Sequence, residues 1–278
     1  MGRRTLTAAV ALPVLLFIVW QGDLWFAALV AVAAALGAWE LCHMAESWGQ
    51  KPLVAIAAAL ASVLAVTYYF IPSPKYPENM EGVAIFPALL AVSAAVVMLL
   101  AHRLRGPLSH ILATVCIVLV IGGTLFHAPL LREFDTFSTN AGLLWVIFLL
   151  GVTMATDTAA YLVGKAIGSH KLAPNVSPNK TWEGAVGGFL GAVAVGVCLN
   201  SVMDLGAHTS VAVLGSAVLG ITGQLGDLFE SKVKRIAGVK DSGRLFPGHG
   251  GILDRMDSLM WNVVILYHMV ALTTGSIA

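Results

Sequence analysis

The chain has 278 residues, of which 58% are hydrophobic and 11% are charged, and its formal net charge is +1. A soluble domain carries roughly 25% charged residues, so this composition excludes an ordinary soluble protein and indicates an integral membrane protein. The near-neutral charge gives no sign of nucleic-acid binding, and we expect no nucleic-acid partner. The cysteines Cys42, Cys116 and Cys198 stand far apart in or beside apolar runs, with neither metal-binding nor disulfide spacing.

Apolar stretches long enough to cross a bilayer, which takes about 20 residues as a helix, recur along the whole chain. They run near 5–21, 24–41, 53–71, 83–101, 109–127, 142–163, 184–203, 209–229 and 256–275. The sequence therefore predicts an all-α, polytopic helical bundle of about nine transmembrane helices. In the seventh span, Gly184 and Gly188, and also Gly187 and Gly191, form G-x-x-x-G pairs, which are typical of closely packed membrane helices.

The distribution of basic residues predicts the orientation of this bundle. With a cytosolic N-terminus, 14 of the 16 Lys and Arg fall on the cytosolic side, as the positive-inside rule requires. Only Lys75 and Arg132 fall outside. We therefore expect the N-terminus in the cytosol and the C-terminus on the other side.

Residues able to carry chemistry are concentrated in the second half of the chain. We predict a transmembrane scaffold at 1–105, containing spans one to four, and a catalytic region at 106–278, containing spans five to nine. The catalytic region includes the cytosolic loops 164–184 and 230–256. Within it, 231–257 (SKVKRIAGVKDSGRLFPGHGGILDRMD) combines basic residues, acidic residues and glycines. These residue types together indicate a site for a metal-bound nucleotide phosphate.

Acidic residues in or beside the spans are the first candidates for function, because charge is costly within a membrane. Asp157 lies in span six and Asp227 at the inner end of span eight. Asp254 and Asp257 begin span nine at the i, i+3 spacing of one helix face. A structural hydrogen bond is an open alternative for Asp157, and helix capping is one for Asp254 and Asp257.

The stretch 231–257 has the pattern S-x-x-K-R-x4-K-D-x5-P-G-H-G-G-x-x-D-R-x-D, which resembles the signature of the phosphatidate cytidylyltransferase (CDP-diacylglycerol synthase) family. The runs D-x-x-A-Y-x-x-G at Asp157 and S-P-N-K-T-W-E-G at Ser177 resemble two further features of that family. The resemblance implies transfer of CMP from CTP to phosphatidate, which releases pyrophosphate and makes CDP-diacylglycerol. It also implies Mg²⁺ with a second cation such as K⁺, a homodimer, and a multi-pass location in the inner (plasma) membrane with the active site facing the cytosol.

This chemistry assigns roles to the candidate residues. We expect Asp227 and Asp254 to converge on one metal ion, with Asp257 as a further ligand. Lys234, Arg235 and Lys240 are expected to act in catalysis with the first two aspartates. The expected substrate-binding residues are Asp157, Ser177, Asn179, Lys180, Arg244, His249, Gly250, Gly251 and Arg255.

Two other functions use acidic residues within membrane spans. A CDP-alcohol phosphotransferase would need D-G-x-x-A-R followed by G-x-x-x-D-x-x-x-D, which the chain lacks. A membrane anion transporter with Asp157 and Asp227 as coupling sites stays as the alternative. The crowding of polar residues into one half and onto one side argues against it.

Overall fold

The computed structural model describes residues 2–70, 80–101, 103–134, 140–203, 205, 208–245 and 250–275, so His249 lies outside the described residues. Within these ranges the regular secondary structure is helical apart from one small hairpin. The first six helices are α1 (Gly2–Gln21), α2 (Asp23–Ser47), α3 (Val54–Val66), α4 (Met80–Ala101), α5 (Pro107–Leu125) and α6 (His127–Arg132). Then come α7 (Ala141–Ile167), β1 (Lys171–Ala173), β2 (Ser177–Thr181), α8 (Trp182–Val202), α9 (Thr209–Ile236), α10 (Leu253–Met256) and α11 (Leu259–Gly275). A 3-10 helix, Thr67–Phe70, follows α3.

Six helical segments of the described residues are long and apolar enough to cross a membrane. They are Asp23–Ser47, Pro107–Arg132, Ala141–Ile167, Trp182–Val202, Thr209–Ile236 and Leu253–Thr273. Shorter apolar helices at Leu12–Gln21, Val54–Tyr69 and Ala88–Leu99 coincide with the other predicted spans. The prediction of an all-α membrane protein is confirmed at this level.

The helices form two compact units, Met1–Glu133 with Val233–Met256, and Phe134–Lys232 with Asp257–Ala278. In the first unit, α2, α3 and α5 pack through small side chains, and Ala34, Ala38 and Ala61 are fully buried. Alanines let helix backbones approach closely. The predicted boundary at residue 105 divides a scaffold from a catalytic region and was not drawn from helix packing. It stays a prediction.

In the second unit, α7 and α8 pack closely through the glycines of the seventh predicted span. A Cβ atom on Gly187 would stand 2.6 Å from Cβ of Val163. One on Gly188 would stand 2.9 Å from the carbonyl oxygen of Thr156. The predicted close helix approach is confirmed, and α7 is the partner helix.

The loop between α7 and α8 contains an antiparallel hairpin that the sequence did not predict. Strands β1 and β2 pair Lys171 with Thr181 and Ala173 with Ser177. The strands are too short for an alternation of apolar and polar residues to be visible in the sequence. Strand β2 also contains a proline. Thr181 then caps α8, because its hydroxyl oxygen accepts a hydrogen bond of 3.1 Å from the backbone N–H of Gly184. This hairpin fixes Lys180 immediately before the cap.

The ninth predicted span is interrupted near its start. Helix α10 ends at Met256 and α11 begins at Leu259, which leaves Asp257 and Ser258 in a break. The backbone N–H of Ser258 donates to Oδ1 of Asp257 at 2.7 Å, and its hydroxyl donates to the carbonyl of Gly223 at 3.0 Å. Asp254 therefore lies in α10 and Asp257 in the break that follows it, and a shared helix face for the two stays a prediction.

Candidate functional site

Three carboxylates come together in the second unit, from Asp227, Glu230 and Asp257. One oxygen of each lies within 4.8 Å of the other two. Asp227 and Glu230 stand three residues apart on α9 and so share a face of that helix. Glu230 is only 1% exposed, whereas Asp227 and Asp257 are half-buried. We call these three residues the carboxylate cluster.

Glycines on α9 allow the start of α11 to reach this cluster. A Cβ atom on Gly226 would stand 2.7 Å from the backbone oxygen of Asp257, and one on Gly223 would stand 2.8 Å from the side-chain nitrogen of Asn262. Asn262 is fully buried and lies 2.6 Å from the hydroxyl of Thr222 on α9. Close packing and these polar contacts hold the break at Asp257 against α9.

Lys180 of the β2 strand neutralises one member of the carboxylate cluster. Its Nζ lies 2.5 Å from Oδ2 of Asp227, and both side chains are about one-quarter exposed, at 25% and 28%. The hydroxyl of Ser231, one helix turn further along α9, donates to Oδ1 of Asp227 at 3.2 Å. Like charges held this close oppose ionisation, so a cation is needed beside them. The ammonium group of Lys180 supplies part of this positive charge.

Asp254 has a well-defined set of partners within the first unit. Its Oδ1 accepts a hydrogen bond from Nζ of Lys234 at 2.7 Å. Its Oδ2 accepts from the backbone N–H groups of Ser242, at 2.9 Å, and Gly251, at 2.8 Å, and it lies 2.9 Å from the Ser242 hydroxyl. These contacts give Asp254 a structural role, and its predicted role as a metal ligand stays a prediction.

The remaining predicted site residues lie mostly on exposed surfaces of their own unit. Arg235, at the end of α9, donates from Nη1 to the carbonyl of Val239 at 3.3 Å. Gly250 has a φ of 79°, a backbone conformation that favours glycine, and Gly251 is buried. The exposed side chains are Arg235, Lys240, Arg244 and Arg255 in the first unit and Asp157 and Asn179 in the second, while Ser177 is half-buried.

Two acidic residues that the sequence interpretation did not select have defined positions in the structure. Glu230 completes the carboxylate cluster, and its spacing of three residues from Asp227 was a usable signal. Glu40 is buried in α2, at 1% exposure, and accepts hydrogen bonds from the loop before α10. An acidic residue within an apolar span was the signal for Glu40.

The chain is similar to known proteins over almost its full length. The profile described as the cytidylyltransferase family matches residues 2–273. A phosphatidate cytidylyltransferase of Bacillus subtilis is 34% identical over 278 residues, which cover 98% of each chain. One from Staphylococcus aureus is 33% identical over 267 residues, covering 95% of this chain and 96% of that protein. One from Brucella suis is 51% identical over 146 residues, or 52% of each chain.

Proposed function

The chain belongs to the cytidylyltransferase family, and we propose that it transfers CMP from CTP to phosphatidate, giving CDP-diacylglycerol and pyrophosphate. The observation that carries this function is the family match over residues 2–273, together with relatives of that activity along the whole chain. Neither that match nor the described residues support the anion-transporter alternative. The enzyme is a nucleotidyltransferase of phospholipid biosynthesis.

The reaction depends on electrostatic stabilisation and on positioning of the two substrates rather than on a strong general base. The attacking group is the phosphate monoester of phosphatidate, which is already an oxyanion at neutral pH. The barrier comes from repulsion between two anionic substrates and from charge that develops on the leaving pyrophosphate. Cationic groups that hold both substrates in line lower that barrier.

We propose that the carboxylate cluster holds Mg²⁺. Its donors are carboxylate oxygens, which are the ligands that Mg²⁺ prefers. The burial of Glu230 fits as well, because a buried carboxylate close to two others is costly without a neighbouring cation. When bound, the ion supplies Lewis-acid stabilisation of phosphate oxygens. The second cation, such as K⁺, and the part of Asp254 in metal binding rest on the family resemblance.

The basic residues selected from the sequence stay proposed as contacts to the phosphates. Lys180 is the best supported of them, because it already lies against the carboxylate cluster. Lys234 is paired with Asp254, and the side chains of Arg235, Arg244 and Arg255 are exposed. The full set is Lys180, Lys234, Arg235, Lys240, Arg244 and Arg255. Asp157, Ser177, Asn179, His249, Gly250 and Gly251 stay as proposed substrate-binding residues.

Conversion of Arg235 to lysine should lower the rate at least about tenfold although the charge is kept, because only a guanidinium offers a planar fork of donors to a phosphate. The measurement is the initial rate of CDP-diacylglycerol formation by the purified variant. Lys232→Arg, which alters an exposed residue of the same helix, serves as the control and should keep the wild-type rate. Unchanged kinetics in Arg235→Lys would reduce Arg235 to a membrane-surface charge.

The proposed membrane arrangement has nine spans, a cytosolic N-terminus and an active site that faces the cytosol in the inner (plasma) membrane. Three short apolar helices at predicted spans support nine crossings, and the distribution of basic residues supports the orientation. CTP is soluble and phosphatidate lies in the bilayer, so a site at the cytosolic interface serves both. We also propose a homodimer, as the family resemblance implies.

Cysteine labelling tests this arrangement. In a cysteine-free background, Lys240→Cys should react with a membrane-impermeant thiol reagent only after the cytosolic face is opened. Asp135→Cys, which lies outside the described residues, should react in intact cells. Reaction of position 240 in intact cells would overturn the nine-span orientation.

The function itself is tested with purified protein, phosphatidate, CTP and Mg²⁺. CDP-diacylglycerol and pyrophosphate should form in equal amounts, and only when both substrates are present. Counterflow of a labelled anion into liposomes without turnover of CTP would instead support the transporter.

A further inference from the structure

Glu40 is a buried carboxylate of α2 that binds a loop about 200 positions further along the chain, within the same unit. Its Oε1 accepts a hydrogen bond from the backbone N–H of Ile252 at 2.9 Å, and its Oε2 accepts one from Leu253 at 3.0 Å. The hydroxyl of Ser242 donates to the same Oε2 at 2.7 Å. One side chain thus holds both ends of the loop 242–253.

Two glycines of this loop are packed against the Glu40 carboxylate. A Cβ atom on Gly243 would overlap one of its oxygens, and a Cβ atom on Gly251 would overlap both. Neither position has room for a side chain while Glu40 is in place. At Gly251, therefore, glycine is required by a carboxylate of the protein itself, whatever the substrate contacts.

Ser242 links Glu40 to the predicted site residues of the first unit. Its hydroxyl lies 2.7 Å from Oε2 of Glu40 and 2.9 Å from Oδ2 of Asp254. A hydroxyl has one proton to donate, so the two carboxylates share it. Asp254 in turn holds Nζ of Lys234 at 2.7 Å. The polar chain therefore runs from Glu40 through Ser242 and Asp254 to Lys234.

A carboxylate buried to this degree is costly unless its oxygens are hydrogen-bonded, and the three donors of the loop meet that requirement. The loop needs Glu40 equally, because without it the backbone N–H groups of Ile252 and Leu253 would lose their acceptor. The dependence is mutual, so Glu40 fixes the positions of Ser242, Ile252 and Leu253 relative to one another.

We propose that Glu40 is a positioning residue for the cytidylyltransferase reaction, acting through Ser242 and Asp254 on Lys234. The proposal rests on the function proposed above for Lys234 and Asp254. It gives the N-terminal spans a part in catalysis, beyond the scaffold role predicted for them.

Glu40→Gln is the main test, because glutamine keeps the shape but can accept on one side only. Its amide N–H₂ would face a loop donor in place of an acceptor. We expect kcat to fall about tenfold to a hundredfold, as a small misplacement of catalytic groups produces, with a much smaller change in KM for CTP. Ser242→Ala should cause a similar loss. In the double variant the loss should be smaller than the product of the single losses, because both act through one contact chain.

The matched control is Glu46→Gln, which makes the same charge change at an exposed position of α2. It should keep the wild-type kcat. Activity of the wild-type protein and of this control shows that the assay works and that the proposed reaction takes place. Thermal unfolding of each variant in detergent separates folding from positioning. The proposal is overturned if Glu40→Gln and Ser242→Ala keep the wild-type kcat. It is also overturned if their loss is fully explained by a smaller folded fraction, or if their effects simply multiply.

Discussion

Replacement of Asp227 by asparagine should lower the rate of CDP-diacylglycerol formation by at least about a hundredfold, which is the order expected when a main electrostatic group of an active site is lost. Asp227 is a member of the carboxylate cluster and also the partner of Lys180. An amide oxygen is a weaker ligand for Mg²⁺ because it carries no net charge. The measurement is the initial rate at saturating CTP and phosphatidate over a range of Mg²⁺ concentrations.

The fold should survive this change, since helix packing elsewhere holds the second unit together. Thermal stability without metal is expected to stay near that of wild type. Asp227→Glu should recover part of the rate with an altered preference between Mg²⁺ and Mn²⁺. Glu46→Gln, an exposed position, should stay within about twofold of wild type. A near wild-type rate in Asp227→Asn would remove Asp227 from the metal site.

Replacement of Lys180 by methionine should lower the reaction rate and raise the affinity for a divalent cation. The rate should fall at least about tenfold, because a cation that neutralises charge in the transition state is lost. Binding of a divalent cation in the absence of CTP should become tighter. Nζ of Lys180 lies 2.5 Å from Oδ2 of Asp227 and so competes with the cation for that oxygen. Rates and Mn²⁺ titrations of the same preparation give both values.

Lys165→Met provides the control, because Lys165 is exposed at the end of α7. Neither rate nor metal affinity should change in that variant. Weaker Mn²⁺ binding in Lys180→Met would show that Lys180 supports the metal site through folding of the hairpin. An unchanged rate would place Lys180 among the lysines that contact lipid.

The sequence predicted the helices well, because apolar runs of membrane length leave few alternatives to a helix. It was less informative at their ends. Helix α9 continues to Ile236, past the predicted end at residue 229, since a helix does not stop where its residues become charged. The break at Asp257 depends on the hydrogen bond from Ser258 to Gly223, a contact between distant residues that hydropathy does not encode.

The site was predicted in part. Asp227 and Asp257 were selected from their setting, and the structure brings them together. Glu230 was not among the predicted site residues, although its spacing of three residues from Asp227 places both on one face of α9. Glu40 lay in a span interpreted as scaffold, and no local pattern could reveal its hydrogen bonds to Ile252 and Leu253. The convergence of Asp227 and Asp254 on one ion stays a prediction.

Electron paramagnetic resonance of bound Mn²⁺ tests the central claim most directly, because it measures the metal site without requiring turnover. Wild-type protein titrated with Mn²⁺ in the absence of CTP should show a saturable site. Glu230→Gln should weaken that site by at least about tenfold, since loss of even an outer partner of a metal ligand costs that much, while Glu46→Gln should leave it unchanged. Wild-type Mn²⁺ affinity in Glu230→Gln would contradict a metal site formed by Asp227, Glu230 and Asp257.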